Sequence, residues 1–233
     1  MPTAAEATAK PDGSAPRRAY SKRLPREERR EQILDANLRV IVREGWAGAT
    51  MERVAAEAEI AKSVLYSLFA SQAGLQVALM RREQERAFAV AAAAIPAAPI
   101  QGDPIAALQR GLEIYLEGVE THPDTWRLVL IPASGTPASV RKAIEEGRER
   151  WRRELEPAIA ELLERFGLTS LDAELLAHLG RGNAEYMARL VIEQPDRFSA
   201  GRLTDFTAQL AAAAFGLFAA ASAQASAESP ESD

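Results

Sequence analysis

Cysteine is absent from this 233-residue chain. Disulfides and thiolate metal sites are therefore excluded, and a reducing cytoplasm is the expected setting. Histidine is scarce too: His122 and His178 are too few to suggest a metal cluster. Long apolar runs are missing. The greasiest stretch, "LAAAAFGLFAAA" from Leu210 to Ala221, is alanine-rich and well short of the ~20 residues that span a bilayer. The opening "MPTAAEATAKPDGSAPRRAYSKR" has no apolar core, so it does not read as a secretory signal. No strand-like alternation survives along the chain. Neither HExxH, nor a phosphate-cradling glycine loop, nor a Ser/His/Asp or Cys/His arrangement in recognisable context occurs. The expectation is a non-enzyme with no metal and no cofactor.

What remains is an alanine-rich, helix-forming composition with 47% hydrophobic and 26% charged residues. The formal net charge of −5 is unevenly spread. Residues 1–74 hold 12 basic against 10 acidic side chains, whereas residues 75–233 hold 16 against 23. A mildly basic front thus precedes an acidic body, and for nucleic acid the local balance is what counts. Glu/Arg runs such as "RKAIEEGRERWRRELE" read as solvated helix faces paired at three- and four-residue spacing.

Helical periodicity accounts for most of the chain. Residues 1–25 mix Pro, Gly and Ser with Lys10, Arg17, Arg18, Lys22 and Arg23, and read as a disordered basic arm. From Arg26, Ile33, Leu34, Leu38, Val40 and Ile41 form an apolar stripe that Gly45 closes, with Trp46 as a core plug. Thr50 is a good N-cap for a helix carrying Met51, Val54, Ala55 and Ala58 on one side. After Glu59-Ile60-Ala61, a third helix has Leu65, Leu68 and Phe69 on one face and Lys62, Ser63, Tyr66 and Ser67 on the other. A long helix is expected over Gln72–Ala94, and "IPAAPIQGDP" breaks it. Further helices are expected over Ile105–Thr121, near Asp124–Leu130, from Thr136 (N-cap) and Pro137 (N1) to Gly167, over Leu171–Glu193, and from Arg202 to about Ala221. Pro157 inside the stretch from Pro137 to Gly167 predicts a kink. The chain reads as all-α: a basic arm (1–25), a helix-turn-helix domain (26–74), a helical body (75–224) and a disordered tail (225–233).

Two short helices joined by a three-residue turn and braced by a preceding helix form a helix-turn-helix, whose second helix enters the DNA major groove. The candidate contacts are Thr50, Lys62, Ser63, Val64, Tyr66 and Ser67. Ammonium and hydroxyl groups bond phosphates or base edges, and Val64 suits a thymine methyl. A Lys-Ser-Tyr face is equally an ordinary solvated surface, and periodicity alone leaves both readings open. In the body, Tyr115, Trp126, Trp151, Tyr186 and Phe166 offer aromatic walls, and His122 and Asn183 offer polar contacts, for a small apolar or aromatic ligand. Each is equally a core or surface residue. Gly180 and Gly182 leave room beside them.

The stretch "ILDANLRVIVREGWAGATMERVAAEAEIAKSVLYSLFASQAGL" resembles the N-terminal domain of TetR-family transcriptional regulators. The likeness rests on Ile33-Leu34, Gly45-Trp46, Thr50, Val54-Ala55, Ala58, Ile60, Lys62, Leu65-Tyr66, Phe69, Ser71 and Leu75, and covers Glu28 to Leu75. Beyond it, only helix number and order agree. The resemblance implies a cytoplasmic homodimeric regulator, in effect a repressor, of palindromic operator DNA, released by a small hydrophobic or aromatic effector bound in the C-terminal domain. It implies dimerisation through the last two helices, whose apolar positions include Leu175, Leu179, Leu190, Leu203, Phe206, Leu210 and Leu217. Three residues depart from the family pattern: Glu59 stands at the turn glycine, Ala61 at an N-cap serine, and Gln72 at a common lysine. Two other readings remain, a helical dimeric adaptor without DNA binding and a helical enzyme. The basic arm has two readings as well: reaching into the minor groove, or keeping the chain soluble.

Overall fold

A computed structural model describes residues 24–95, 103–131, 135–165 and 171–227, and all regular structure in them is helical. The elements are α1 (Arg26–Gly48), α2 (Met51–Glu57), α3 (Lys62–Leu68), α4 (Gln72–Ala94), α5 (Pro104–Thr121), α6 (Pro123–Leu130), α7 (Ala138–Arg165), α8 (Ala173–Glu193) and α9 (Ala200–Ala227).

Their boundaries follow local chemistry. Gly45 lies at φ 76° and ψ 175°, so the helical path of α1 breaks where its stripe ends and resumes for one short turn. Only glycine takes that backbone cheaply. The side chains of Thr50, Ser71, Asp103 and Asp172 each accept a backbone N–H in the first turn of α2, α4, α5 and α8, respectively. Several ends differ from the expected ones. α7 begins at Ala138 rather than at Pro137, whose carbonyl accepts the helix's first bonds from Val140 N at 3.0 Å and Arg141 N at 2.9 Å. α8 begins at Ala173 behind the Asp172 cap rather than at Leu171. α9 runs from Ala200 to Ala227, past the expected end near Ala221 and into the tail from 225 that was expected to be disordered, in keeping with the high helix propensity of its alanines. α7 continues as one helix through Pro157. Gly167, Phe166 and the arm over residues 1–23 lie outside the described residues.

Two apolar clusters hold the molecule together. The first joins α1–α3 (Ile33, Leu34, Val40, Trp46, Val54, Leu65, Phe69) to the front of α4 (Leu75, Leu79, Met80), and takes in Leu128 of α6 and Val140 and Ile144 of α7. The second joins the rear of α4 (Ala87, Ala91) to Tyr115, Leu116 and Val119 of α5, Trp126 and Leu130 of α6, Met187 and Val191 of α8, and Leu203 of α9. Each fully buried large side chain contributes about 1.5–3 kcal/mol, so both clusters are cohesive. Helix α4 belongs to both. It also runs very close to α5: a Cβ on Gly111 would lie 2.3 Å from the Ala94 carbonyl oxygen, and one on Gly118 would lie 2.4 Å from a Val90 methyl. Among the described residues, no single helix is long and apolar enough to cross a membrane.

Candidate nucleic-acid interface

The turn between α2 and α3 sets the site. Ile60 N donates to Ala55 O at 3.0 Å and Glu59 N donates to Ala56 O at 3.1 Å. These are the paired bonds of a Schellman ending, which puts its C′ residue in the left-handed region. That residue is Glu59, at φ 54°. Gln32 Nε2 reaches across from α1 to donate to Ala58 O at 2.9 Å, bracing the same helix end. The turn has therefore not been reshaped to suit a non-glycine residue, and strain is accepted. Relief of about 1–2 kcal/mol in Glu59→Gly is offset by glycine's larger unfolded-state entropy, about 0.4–1 kcal/mol. We expect a net gain near 0.5–1 kcal/mol and a Tm higher by roughly 1–4 °C in a thermal melt. A lower Tm would show that the Glu59 side chain contributes binding energy of its own.

Helix α3 is anchored from one side only. Leu65 and Phe69 are buried in the first cluster, and Arg30 of α1 stacks over the Phe69 ring at 5.5 Å. The opposite face is open: Lys62, Ser63, Val64, Tyr66 and Ser67 are all exposed, Tyr66 at 48%. Ala61 precedes the helix without a side-chain cap, as its identity dictates. Two of the hydroxyls are partly engaged. Thr50 Oγ1 accepts from Arg53 N at 3.2 Å, and Ser67 Oγ donates to Val64 O at 2.7 Å. The remaining capacity is one donor and one acceptor lone pair on Thr50 and two acceptor lone pairs on Ser67. The six predicted DNA-facing residues thus share the α2–α3 unit. Five lie open on α3, and Thr50, half-buried, sits at the start of α2.

The ion pairs around this unit escape sequence reasoning. Lys62 Nζ lies 3.0 Å from Glu52 Oε1. Arg53 pairs with Glu44, which also takes Arg43 at 3.0 Å. Arg39 and Arg43 hold the two oxygens of Glu57 at 2.8 and 3.0 Å. The Arg53 hydrogen bond holds the Glu44 carboxyl below its ordinary range, and the Arg39 hydrogen bond does the same for Glu57. Both stay ionised at neutral pH. Apart from the adjacent Arg43 and Glu44, spacings of 9 to 18 residues between partners leave no periodic signal that could reveal them.

The residues predicted for a ligand in the body are not brought to one place. Tyr115 and Trp126 meet edge-to-face with ring centroids 5.1 Å apart inside the second cluster. The Trp126 indole donates to Gly118 O at 3.1 Å. Burial first, and Glu185 second, push the Tyr115 phenol above its ordinary range, so it stays neutral. Trp151, partly buried against the same cluster, meets Phe88 edge-on with ring centroids 5.4 Å apart. His122 is exposed where α5 meets α6. Asn183 and Tyr186 are exposed on α8, on the face that carries Leu175 and Leu179. That spacing repeats every three to four residues, so the side chains share one outward stripe. The apolar positions of the last two helices also divide. Leu203 is buried and Leu190 partly so, whereas Leu175, Leu179, Phe206 and Leu210 are 59–70% exposed. The Leu217 side chain lies outside the described set.

Comparison with known proteins agrees with the α2–α3 geometry. Residues 33–79 match the family described as bacterial regulatory proteins, tetR family. A helix-turn-helix transcriptional regulator of Mycobacterium tuberculosis is 26% identical over 183 residues, covering 78% of this chain and 75% of its own length. Among solved structures, a TetR-like transcriptional regulator from Rhodococcus sp. RHA1 is 28% identical with a TM-score of 0.61, covering 82% of this chain and 99% of that one. The transcriptional regulator FadR from Bacillus subtilis, solved in complex with stearoyl-CoA, shares the fold at 14% identity, with a TM-score of 0.62 and coverage of 77% and 96%. An open third helix on a buried frame, the match over residues 33–79 and the likeness to regulators along most of the chain lead to one conclusion: residues 33–79 carry the N-terminal domain of the tetR family of bacterial regulatory proteins, and the chain around them is similar to TetR-like transcriptional regulators.

Proposed function

We propose that this regulator binds palindromic duplex operator DNA as a cytoplasmic homodimer, represses transcription while bound, carries out no catalysis and needs no cofactor. In this reading residues 26–74 are the DNA-binding domain and residues 75–224 the effector and dimerisation domain. Lys62, Ser63, Val64, Tyr66 and Ser67 meet the DNA at the major groove, with Thr50 and Tyr66 clamping the backbone. The observation that carries the reading is the one-sided burial of α3. Leu65 and Phe69 fix the helix rigidly, while every other predicted contact on it stays open.

The outward Leu175, Leu179 and Tyr186 of α8 and Phe206 and Leu210 of α9 support dimerisation. Large apolar side chains exposed in series on two helices are what a four-helix seam across a two-fold axis buries. The two α3 helices of such a dimer must match major grooves about 34–36 Å apart, or multiples of that spacing. An effector releases DNA by favouring a different separation, and by no more than its differential affinity for the two states. We assign the effector to a hydrophobic or aromatic small molecule. The aromatic body and the stearoyl-CoA bound by the fold neighbour FadR support that class. Among the described residues Tyr115 and Trp126 meet, whereas His122, Asn183 and Tyr186 lie on the surface, and we place the pocket within the body around Tyr115 and Trp126.

A gel shift with the DNA upstream of the chain's own coding region, run beside sedimentation equilibrium, tests this reading. A discrete complex of two protomers is expected, weakened at least about tenfold by Tyr66→Ala. A strictly monomeric protein, or Tyr66→Ala binding at full strength, refutes it.

A further inference from the structure

Helix α3 has the sequence Lys-Ser-Val-Leu-Tyr-Ser-Leu, so Lys62 is its only charged residue. That one charge is already matched. Its ammonium lies 3.0 Å from the Glu52 carboxylate, which projects from the first turn of α2. The neighbouring cations of α1 and α2 are matched as well, Arg53 by Glu44 and Arg39 and Arg43 by Glu57. Residues 24–74 hold seven basic and eight acidic side chains, a net of −1. A surface about to meet a polyanion thus offers almost no uncompensated positive charge.

We propose that Glu52 is an internal counter-ion that sets DNA affinity: it holds Lys62 in free protein, and Lys62 leaves it for a backbone phosphate. This assignment rests on the reading that α3 faces DNA. Both members of the pair are more than half exposed, so water screens it and little energy is needed to open it. The larger effect comes after opening. The Lys62 hydrogen bond, and then Glu52's own backbone N–H, hold the carboxyl below its ordinary range. Glu52 therefore stays anionic at neutral pH and, once Lys62 has moved, stands unpaired beside the phosphates. Repulsion of the duplex and recruitment of a cation both subtract from the counter-ion release that Lys62 would otherwise give. Since phosphates carry no sequence information, the penalty applies to every duplex. It leaves discrimination to the base contacts of Ser63, Val64 and Ser67.

The test compares wild type, Glu52→Gln, Lys62→Met and the double variant. Binding is measured on 30-base-pair duplexes, one carrying the chain's own upstream DNA and one a scrambled copy, across a salt series. Glu52→Gln is expected to bind both duplexes about 3- to 10-fold more tightly, with a steeper salt slope by about 1 to 2 for a dimer. The gain is expected to vanish in the Lys62→Met background. A thermal melt of Glu52→Gln near that of wild type excludes a folding effect. An equal gain with and without Lys62 would reduce Glu52 to general negative charge and overturn the counter-ion assignment. So would no gain when Lys62→Met alone weakens binding. If Lys62→Met binds as wild type does, or no variant binds at all, the placement of α3 against DNA fails, and this inference with it.

Discussion

Removal of residues 1–23 is expected to lower affinity for duplex DNA by roughly 10²- to 10³-fold near 0.15 M salt, with little change in Tm. The reason is charge. Residues 24–74 are net −1, whereas residues 1–23 hold Lys10, Arg17, Arg18, Lys22 and Arg23 against Glu6 and Asp12, a net of +3. Any excess positive charge at the front of the chain therefore lies in the arm. If each arm of a dimer places two of its five cations on phosphates, four counter-ions are released. At ~0.9 per phosphate, the slope of log affinity against log salt should then flatten by about 3.6 on truncation. Over the range from 1 M to 0.15 M, a slope of that size corresponds to about 10³ in affinity, which sets the upper figure. A solubilising tail would leave the slope unchanged. In that case a net-negative domain would be binding DNA through Lys62 and hydroxyl and aromatic contacts alone. A salt titration of the full chain against the truncated one separates the two readings.

The parts of the fold that were legible in the sequence are those fixed by neighbours in the chain. Thr50 caps α2 through an atom three residues away. Val54, Ala55 and Leu65 are buried because their spacing puts them on one helical face. Glu59 sits at the left-handed end of α2 because a three-residue turn requires such a residue, whatever its identity. The illegible parts depend on contacts between distant segments. Glu52 and Lys62, ten positions apart, meet only because the turn folds one helix back over the other. Helix α8 has apolar residues on more than one side, so periodicity could not decide that Leu179 faces out while Val191 faces in. The division of the aromatic residues between the Tyr115–Trp126 and Phe88–Trp151 pairs depends on how α4, α5, α6 and α7 pack. Nothing in the local sequence encodes that.

Glu83 is the strongest case of a residue whose role the sequence conceals, and its loss should cost the most stability. In "MRREQERAF" it resembles any surface glutamate, yet its side chain is 0% exposed. Arg82 Nε donates to its Oε1 at 2.7 Å, and Arg82 Nη2 lies equally near without hydrogen-bonding alignment. Arg86 Nη1 donates to the same oxygen at 3.3 Å. The Thr125 hydroxyl of α6 donates to Oε2 at 2.5 Å. Arg82, itself only 10% exposed, also pairs with Glu31 at 3.0 Å and Asp35 at 2.8 Å on α1. One buried carboxylate thus ties α4 to α6 directly and to α1 through Arg82. Glu83→Ala removes the central anion, opens a cavity and leaves the Thr125 hydroxyl without its partner. Breaking a buried pair from one side costs about 3–5 kcal/mol. At roughly 2–4 °C per kcal/mol for a chain of this size, Tm should fall by about 6–20 °C. Glu83→Gln keeps the shape and the acceptor for Thr125 but drops the charge, and should lose about half as much. If Glu83→Ala melted within 1 kcal/mol of wild type, Glu31 and Asp35 would suffice to hold Arg82, and the joint between α4 and α6 would rest on Leu128, Trp126 and their apolar neighbours alone.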